Sequence, residues 1–139
     1  MNYTDHIKKF LNQIGGEELT EVVVDKQDVI GFKYDINKKK INIAIFHGCY
    51  DNRIILQIYS SLPNAYKEPG KNLYTIIEKL NVSSMLGYLF FAESNGSYFI
   101  SYKSNLIHDK NSENYKNIEL FITTSIQMIS INHSELNII

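Results

Sequence analysis

The chain is poor in cysteine, proline and arginine, and each shortage excludes something. Its one cysteine, Cys49, cannot close an internal disulfide, which suits a reducing compartment, and the expected location is the cytoplasm. Of 14 basic residues only Arg53 is an arginine, the side chain best shaped to clamp phosphate or read guanine. The 15 acidic residues balance the bases in both halves of the chain, and no nucleic-acid partner is expected from so even a charge. The one basic cluster, Lys38-Lys39-Lys40, follows Asn37 and reads as a solvated hairpin turn. No apolar run approaches the ~18 residues that span a bilayer, so no membrane association is expected. The first ten residues carry Asp5, His6, Lys8 and Lys9 and do not read as a signal peptide.

Recognisable catalytic apparatus is also missing. Gly15-Gly16 lacks the lysine and spacing of a phosphate loop and stands before a strand. Gly96-Ser97 belongs to a hairpin and forms no nucleophile elbow. His47-Gly48-Cys49 is the most chemical-looking stretch, because residues i and i+2 of a strand share a face and could act as base and nucleophile, or ligate zinc. His6, His108 and His133 are scattered, with no paired ligand spacing, and Met1, Met85 and Met128 mark no cofactor box. The expectation is no enzyme, with no catalytic, cofactor-binding or metal-binding residue.

What is present is a chain of ordinary globular composition, 44% apolar and 21% charged, long enough to bury a core as one domain over residues 1–139. The spacing of Tyr3, Ile7, Phe10, Leu11 and Ile14 predicts a helix over Thr4–Ile14, capped by Thr4 and stopped at Gly15-Gly16. The period then changes from 3.6 to 2. Leu19–Val24 is β-rich, either a strand or part of the next one. Ile30–Ile36, Ile41–Phe46 and Arg53–Ser60 alternate as half-buried strands joined by short antiparallel connections. Both prolines lie in Pro63–Gly70, which reads as an irregular crossover.

A second helix is predicted over Asn72–Leu80, capped by Asn72. Strands Leu86–Ala92 and Ser97–Lys103 flank Asn95-Gly96, a strong hairpin signal. A polar stretch from His108 to Asn114 precedes a final helix of about 17 residues, with the stripe Ile118, Phe121, Ile122, Ile126 and Ile129 and a cap at Ser112 or Asn114. The fold class is therefore α+β, an antiparallel sheet with helices packed on it, in the order α-β-β-β-α-β-β-α.

Three segments carry a resemblance. They are the opening helix ending in Phe10-Leu11 ahead of a meander, the run Ile76-Ile77-Glu78-Lys79-Leu80-Asn81 ahead of a hairpin, and that hairpin itself, Leu86–Phe91 through Asn95-Gly96 to Tyr98–Tyr102, feeding a long helix. In this the chain resembles the type III secretion chaperone-like fold, including the YbjN-like family of small bacterial proteins. Secretion chaperones are often acidic, whereas this chain is close to neutral. The resemblance implies a homodimer that holds a client or effector protein along apolar grooves.

The residues offer contact chemistry of that kind. Seven Phe and ten Tyr make a surplus of aromatics, and tyrosine, apolar in its ring and polar at its tip, suits a partly exposed surface. Tyr59, Tyr88, Tyr98 and Tyr102 are the expected partner-contacting residues. The leading expectation is a non-catalytic protein-binding module, a chaperone or adaptor for a bacterial client. The alternative is an immunity or inhibitor protein that occludes a toxin's active site. In a dimer the first and last helices are the expected shared elements, the latter because Leu136-Asn137-Ile138-Ile139 leaves apolar residues in need of cover.

Overall fold

The computed structural model describes residues 2–112 and 114–136, so the apolar end at Asn137–Ile139 lies outside the described residues. The elements run α1 (Tyr3–Gln13), β1 (Glu17–Val24), β2 (Gln27–Ile36), β3 (Lys39–Tyr50), β4 (Arg53–Tyr66), α2 (Lys71–Ser83), β5 (Tyr88–Ser94), β6 (Ser97–Asp109) and α3 (Lys116–Leu136). The architecture is the expected α+β one, and the run beginning near Leu19 is a strand of its own, giving α-β-β-β-β-α-β-β-α.

Helix α1 is capped two residues earlier than expected, by Asn2 in place of Thr4: the Asn2 side chain accepts a hydrogen bond from the Asp5 amide at 2.8 Å. It ends as expected. Gly15 takes φ +101°, and the Gly15 and Gly16 amides bond back to Asn12 and Leu11 carbonyls, the paired closure that a left-handed residue permits. Helix α2 begins at Lys71 with Gly70 in the capping position and no side-chain cap, so Asn72 does not serve. At α3 the Asn114 side chain accepts from the Lys116 amide at 3.2 Å.

All six strands form one antiparallel sheet in the order β1-β2-β3-β4-β6-β5. Two-residue turns with both residues at positive φ, Asp25-Lys26 and Asn37-Lys38, set the first two hairpins, since their backbone twist matches that of the strands. Strand β3 continues to Tyr50, past the expected end at Phe46. Strand β4 runs past Pro63 into the expected crossover; a register shift between Ser61 and Ala65 absorbs the proline, which cannot donate to a regular ladder.

Side chains alternate across the sheet, and one set faces all three helices. Ile30, Phe32, Ile43, Ile45, Leu56, Ile58, Ile100 and Leu89 are buried there with Ile7 and Leu11 of α1, Leu73 and Ile77 of α2, and Ile118, Ile122 and Ile129 of α3. Burying each such aliphatic side chain contributes about 1.5–3 kcal/mol. The helices can be placed on that face by individual contacts. Ser104 of β6 bonds Ser125 of α3 at 2.8 Å, Tyr3 of α1 bonds His47 of β3 at 2.8 Å, and the rings of Tyr74 in α2 and Phe91 in β5 lie 4.8 Å apart. The opposite face carries no helix among the described residues.

Candidate protein-interaction face

The helix-free face is built by the alternate residues of every strand. One cross-strand row traverses the whole sheet: Thr20, Gly31, Ala44, Tyr59, Lys103, Tyr88. A second runs Val22, Val29, Phe46, Gln57, Asn105. Large and small side chains are segregated along these rows. Gly31 and Ala44 add no bulk, while Val22, Val29 and Tyr59 stand around them, and an open depression of about 700 Å³ results. A second depression of about 470 Å³ lies beyond Phe46, lined by Tyr50, Ile55 and Gln57.

This face holds most of the apolar surface that the sheet leaves in water. Val22, Val24, Tyr50, Ile55, Tyr88 and Ile107 all project from it, Ile107 with 63% of its surface exposed. Ile55 and Ile107 are direct cross-strand neighbours. Beside them the aromatic rings are loosely clustered, Tyr59 to Phe90 at 6.1 Å and Tyr88 to Phe90 at 5.7 Å. Three hydroxyls close a triangle at the edge of the depression: Tyr59 to Ser101 at 3.1 Å, Ser61 to Tyr59 at 3.1 Å and Ser61 to Ser101 at 2.9 Å. Gln57 donates to Asn105 at 2.9 Å.

Charge on the face is sparse and mostly neutralised. Lys33 pairs with Glu18 at 2.8 Å, and this ion pair lowers the Glu18 carboxyl's proton affinity. Lys40 lies between Glu17 and Asp35, whose hydrogen bonds raise its own. The face therefore offers apolar and aromatic contact, hydroxyl and amide groups, and little net field.

The expected contact tyrosines divide between the two faces. Tyr59 and Tyr88 lie on the helix-free side. Tyr102 faces the helices, is 2% exposed and donates to the Leu86 carbonyl at 2.6 Å, so it is part of the core. Tyr98 also has the helix-side parity, opposite Tyr66 and Glu93, and is half-buried. Val22, Phe46, Ile55, Phe90 and Ile107 were not singled out in the sequence, although the unbroken apolar runs Val22-Val23-Val24 and Ile54-Ile55-Leu56 signal strands that are apolar on both sides.

His47 and Cys49 share the helix side of β3. His47 Nδ1 is bonded to the Tyr3 hydroxyl, and the same phenol interacts with the Cys49 thiol. Burial, followed by the nearby thiol, pushes the Tyr3 phenol up to about 12, so it stays protonated and can donate to the imidazole. Burial pulls His47 below the ordinary histidine value, with Asp28 and Glu21 opposing. Close by, His6 bonds Glu119 at 2.9 Å and the Tyr115 ring lies between His6 and His108. Among the described residues no three His, Cys, Asp or Glu side chains converge as metal ligands do. No helix among them is long and apolar enough to cross a membrane.

No protein-family model matches the chain, and no curated protein does. Among solved structures it is similar to YbjN from E. coli, described as a candidate transcription regulator, with a TM-score of 0.60 at 15% identity, over 96% of this chain and 90% of that one. The chain has the YbjN-like fold.

Proposed function

We propose that the protein is a non-catalytic, cytoplasmic binding module, a chaperone or adaptor that holds a bacterial client protein against the helix-free face of its sheet. The observation that carries this reading is the placement of exposed apolar and aromatic side chains. Val22, Ile55, Tyr88 and Ile107 all project from the face that no helix covers among the described residues, interspersed with Gln57, Asn105 and Lys103. Exposed apolar side chains on one face, set among polar groups, are a usual mark of a protein contact. Tyr59 and Tyr88 supply rings with polar tips, the composition favoured at the centre of such contacts.

Direct phosphate binding is the weaker use of this face. Lys33 and Lys40 are already paired, which leaves Arg53, Lys103 and, beside the second depression, Lys26, too few for the dense neutralisation that nucleic acids require. A regulatory role of the kind attributed to YbjN would here be exercised through a protein partner. A catalytic use of Cys49 has only the neighbouring His47 behind it, and Nδ1 of that ring is bonded to Tyr3.

The test is a quantitative pull-down from the native host with three forms: wild type, the pair Tyr88→Ala with Ile107→Ser, and Cys49→Ser. One stoichiometric protein kept by wild type and Cys49→Ser but lost by the face variant is the expected result. A partner whose own enzymatic activity falls on binding would assign the inhibitor role in place of the chaperone one. Partner capture indifferent to the face substitutions would refute the assignment of this surface.

A further inference from the structure

Strand β6 outruns its neighbour β5, and its far half has an open edge. The β5 ladder stops at Tyr88 opposite Lys103, while β6 continues to Asp109 with β4 alone beside it. Gly87 ends the pairing. Its φ of +76° turns the chain out of the sheet towards the helices, where the Leu86 carbonyl accepts from the Tyr102 hydroxyl.

The phase of the ladder shows which backbone groups this leaves free. Asn95-Gly96 has both residues at positive φ and closes on Ser94 and Ser97, so that pair is hydrogen-bonded and every second pair after it. Odd-numbered residues of β6 therefore bond towards β5. Leu89 of β5, between two bonded pairs, turns outward and is met there by Asn81. Past Lys103, Asn105 and Ile107 keep the odd parity and direct N–H and C=O to the open edge, where no described residue meets them.

That edge is one wall of a pocket of about 450 Å³, within the range of small-molecule sites. Leu120 and Phe121 of α3 line it as well, and Met85 and Leu86 stand at its β5 end. Met85 and Leu120 are 86% and 65% exposed, so apolar surface is left in water there. The Ile107 side chain belongs to the helix-free face, and its backbone serves this separate site.

The walls select the ligand. A free N–H beside a free C=O calls for a partner with an acceptor and a donor on one edge. The fold already contains that pairing, since the Asn81 primary amide bonds both groups of Leu89, at 2.7 and 3.0 Å. No lysine or arginine lines the pocket and Asp109 does, which disfavours an anion. A through-running strand meets an obstruction, because β5 lies on the same line and Leu86 stands at that end. We infer that the pocket binds a small neutral molecule with an apolar or aromatic body and a primary amide or lactam edge. The edge pairs with the Ile107 backbone and the body lies against Leu120 and Phe121.

The test is an NMR titration of the isotope-labelled protein with phenylacetamide and with its N,N-dimethyl derivative, which keeps the ring and carbonyl but has no N–H. A fragment of this size should bind with a Kd of about 1 mM. Saturable shifts centred on the Asn105, Ile107 and Leu120 amides are expected, with the dimethyl compound at least about tenfold weaker. Leu120→Glu, a change at an exposed position, should keep the wild-type circular dichroism and weaken phenylacetamide by a similar factor. Equal binding of the two compounds, or no saturable shift at Ile107, would overturn the proposal. So would a capped apolar tetrapeptide that shifts the same amides with at least about tenfold higher affinity, because the slot would then take an added strand.

Discussion

The Asn81 side-chain amide bonds both the N–H and the C=O of Leu89, joining the end of α2 to the outer edge of β5. An edge strand closed in this way presents one fewer site for stray pairing, and the helix is held at a fixed height over the sheet.

Replacing Asn81 by Ala removes both bonds and leaves half-buried backbone groups unmet, which should cost about 1–3 kcal/mol in urea denaturation. Asn81→Asp keeps the acceptor for the Leu89 amide but loses the donor, and should fall between the two. A loss within error for Asn81→Ala would mean that water replaces the amide freely.

Gly87 is the tightest glycine in the fold. It has φ +76°, and a Cβ there would lie 2.5 Å from the Lys103 carbonyl oxygen and 2.6 Å from the Tyr102 hydroxyl. Gly87→Ala combines backbone strain with displacement of a buried tyrosine that is bonded to Leu86. A destabilisation of about 2 kcal/mol or more is expected. Gly96→Ala serves as the control; it also has positive φ, but nothing stands within 4 Å of its added carbon.

Stability should fall with acid through the histidines. Burial lowers the proton affinity of His47, against the pull of Asp28 and Glu21, and lowers that of His133, aided by Lys39. Each imidazole binds protons more readily unfolded than folded, so the unfolded state takes them up. The neutral-form contribution is intact above the ordinary value of 6.5 and is lost as the pH drops below it. Urea midpoints at pH 7.5 and 5.5 measure the slope, and His47→Gln should flatten it. An unchanged slope in that variant would place the linkage elsewhere.

How much of this was legible in the sequence depended on whether local chemistry or packing decided the matter. Gly15-Gly16 and Asn95-Gly96 read correctly because positive φ is a local demand. The separate status of β1 was ambiguous because Glu17–Glu21 does not alternate cleanly, and its pairing with β2 comes from the Asp25-Lys26 turn. Pro63 suggested a break, yet a bulge keeps β4 running past it. The side taken by each tyrosine was illegible for a different reason. In Tyr98–Leu106 serines and aromatics occur at both parities, so the pattern has no clear phase. Only the register against β4 and β5 sends Tyr102 inward to Leu86 and Ser101 outward to Tyr59. The helix-free face was hidden in the same way, since nothing in the runs around Ile55 and Ile107 says which side of the sheet the helices take.

The account rests on a partner covering that face, and hydroxyl-radical footprinting of the purified complex tests it most directly. The informative probes are Tyr50, Tyr88 and Ile107 on the helix-free side, against Tyr74 of α2 and Ile131 of α3, which are exposed on the helices. The expected result is several-fold protection of the first three on complex formation, with Tyr74 and Ile131 oxidised as in the free protein. Protection of Tyr74 and Ile131, with Tyr88 and Ile107 left unchanged, would contradict it and move the binding surface to the helices.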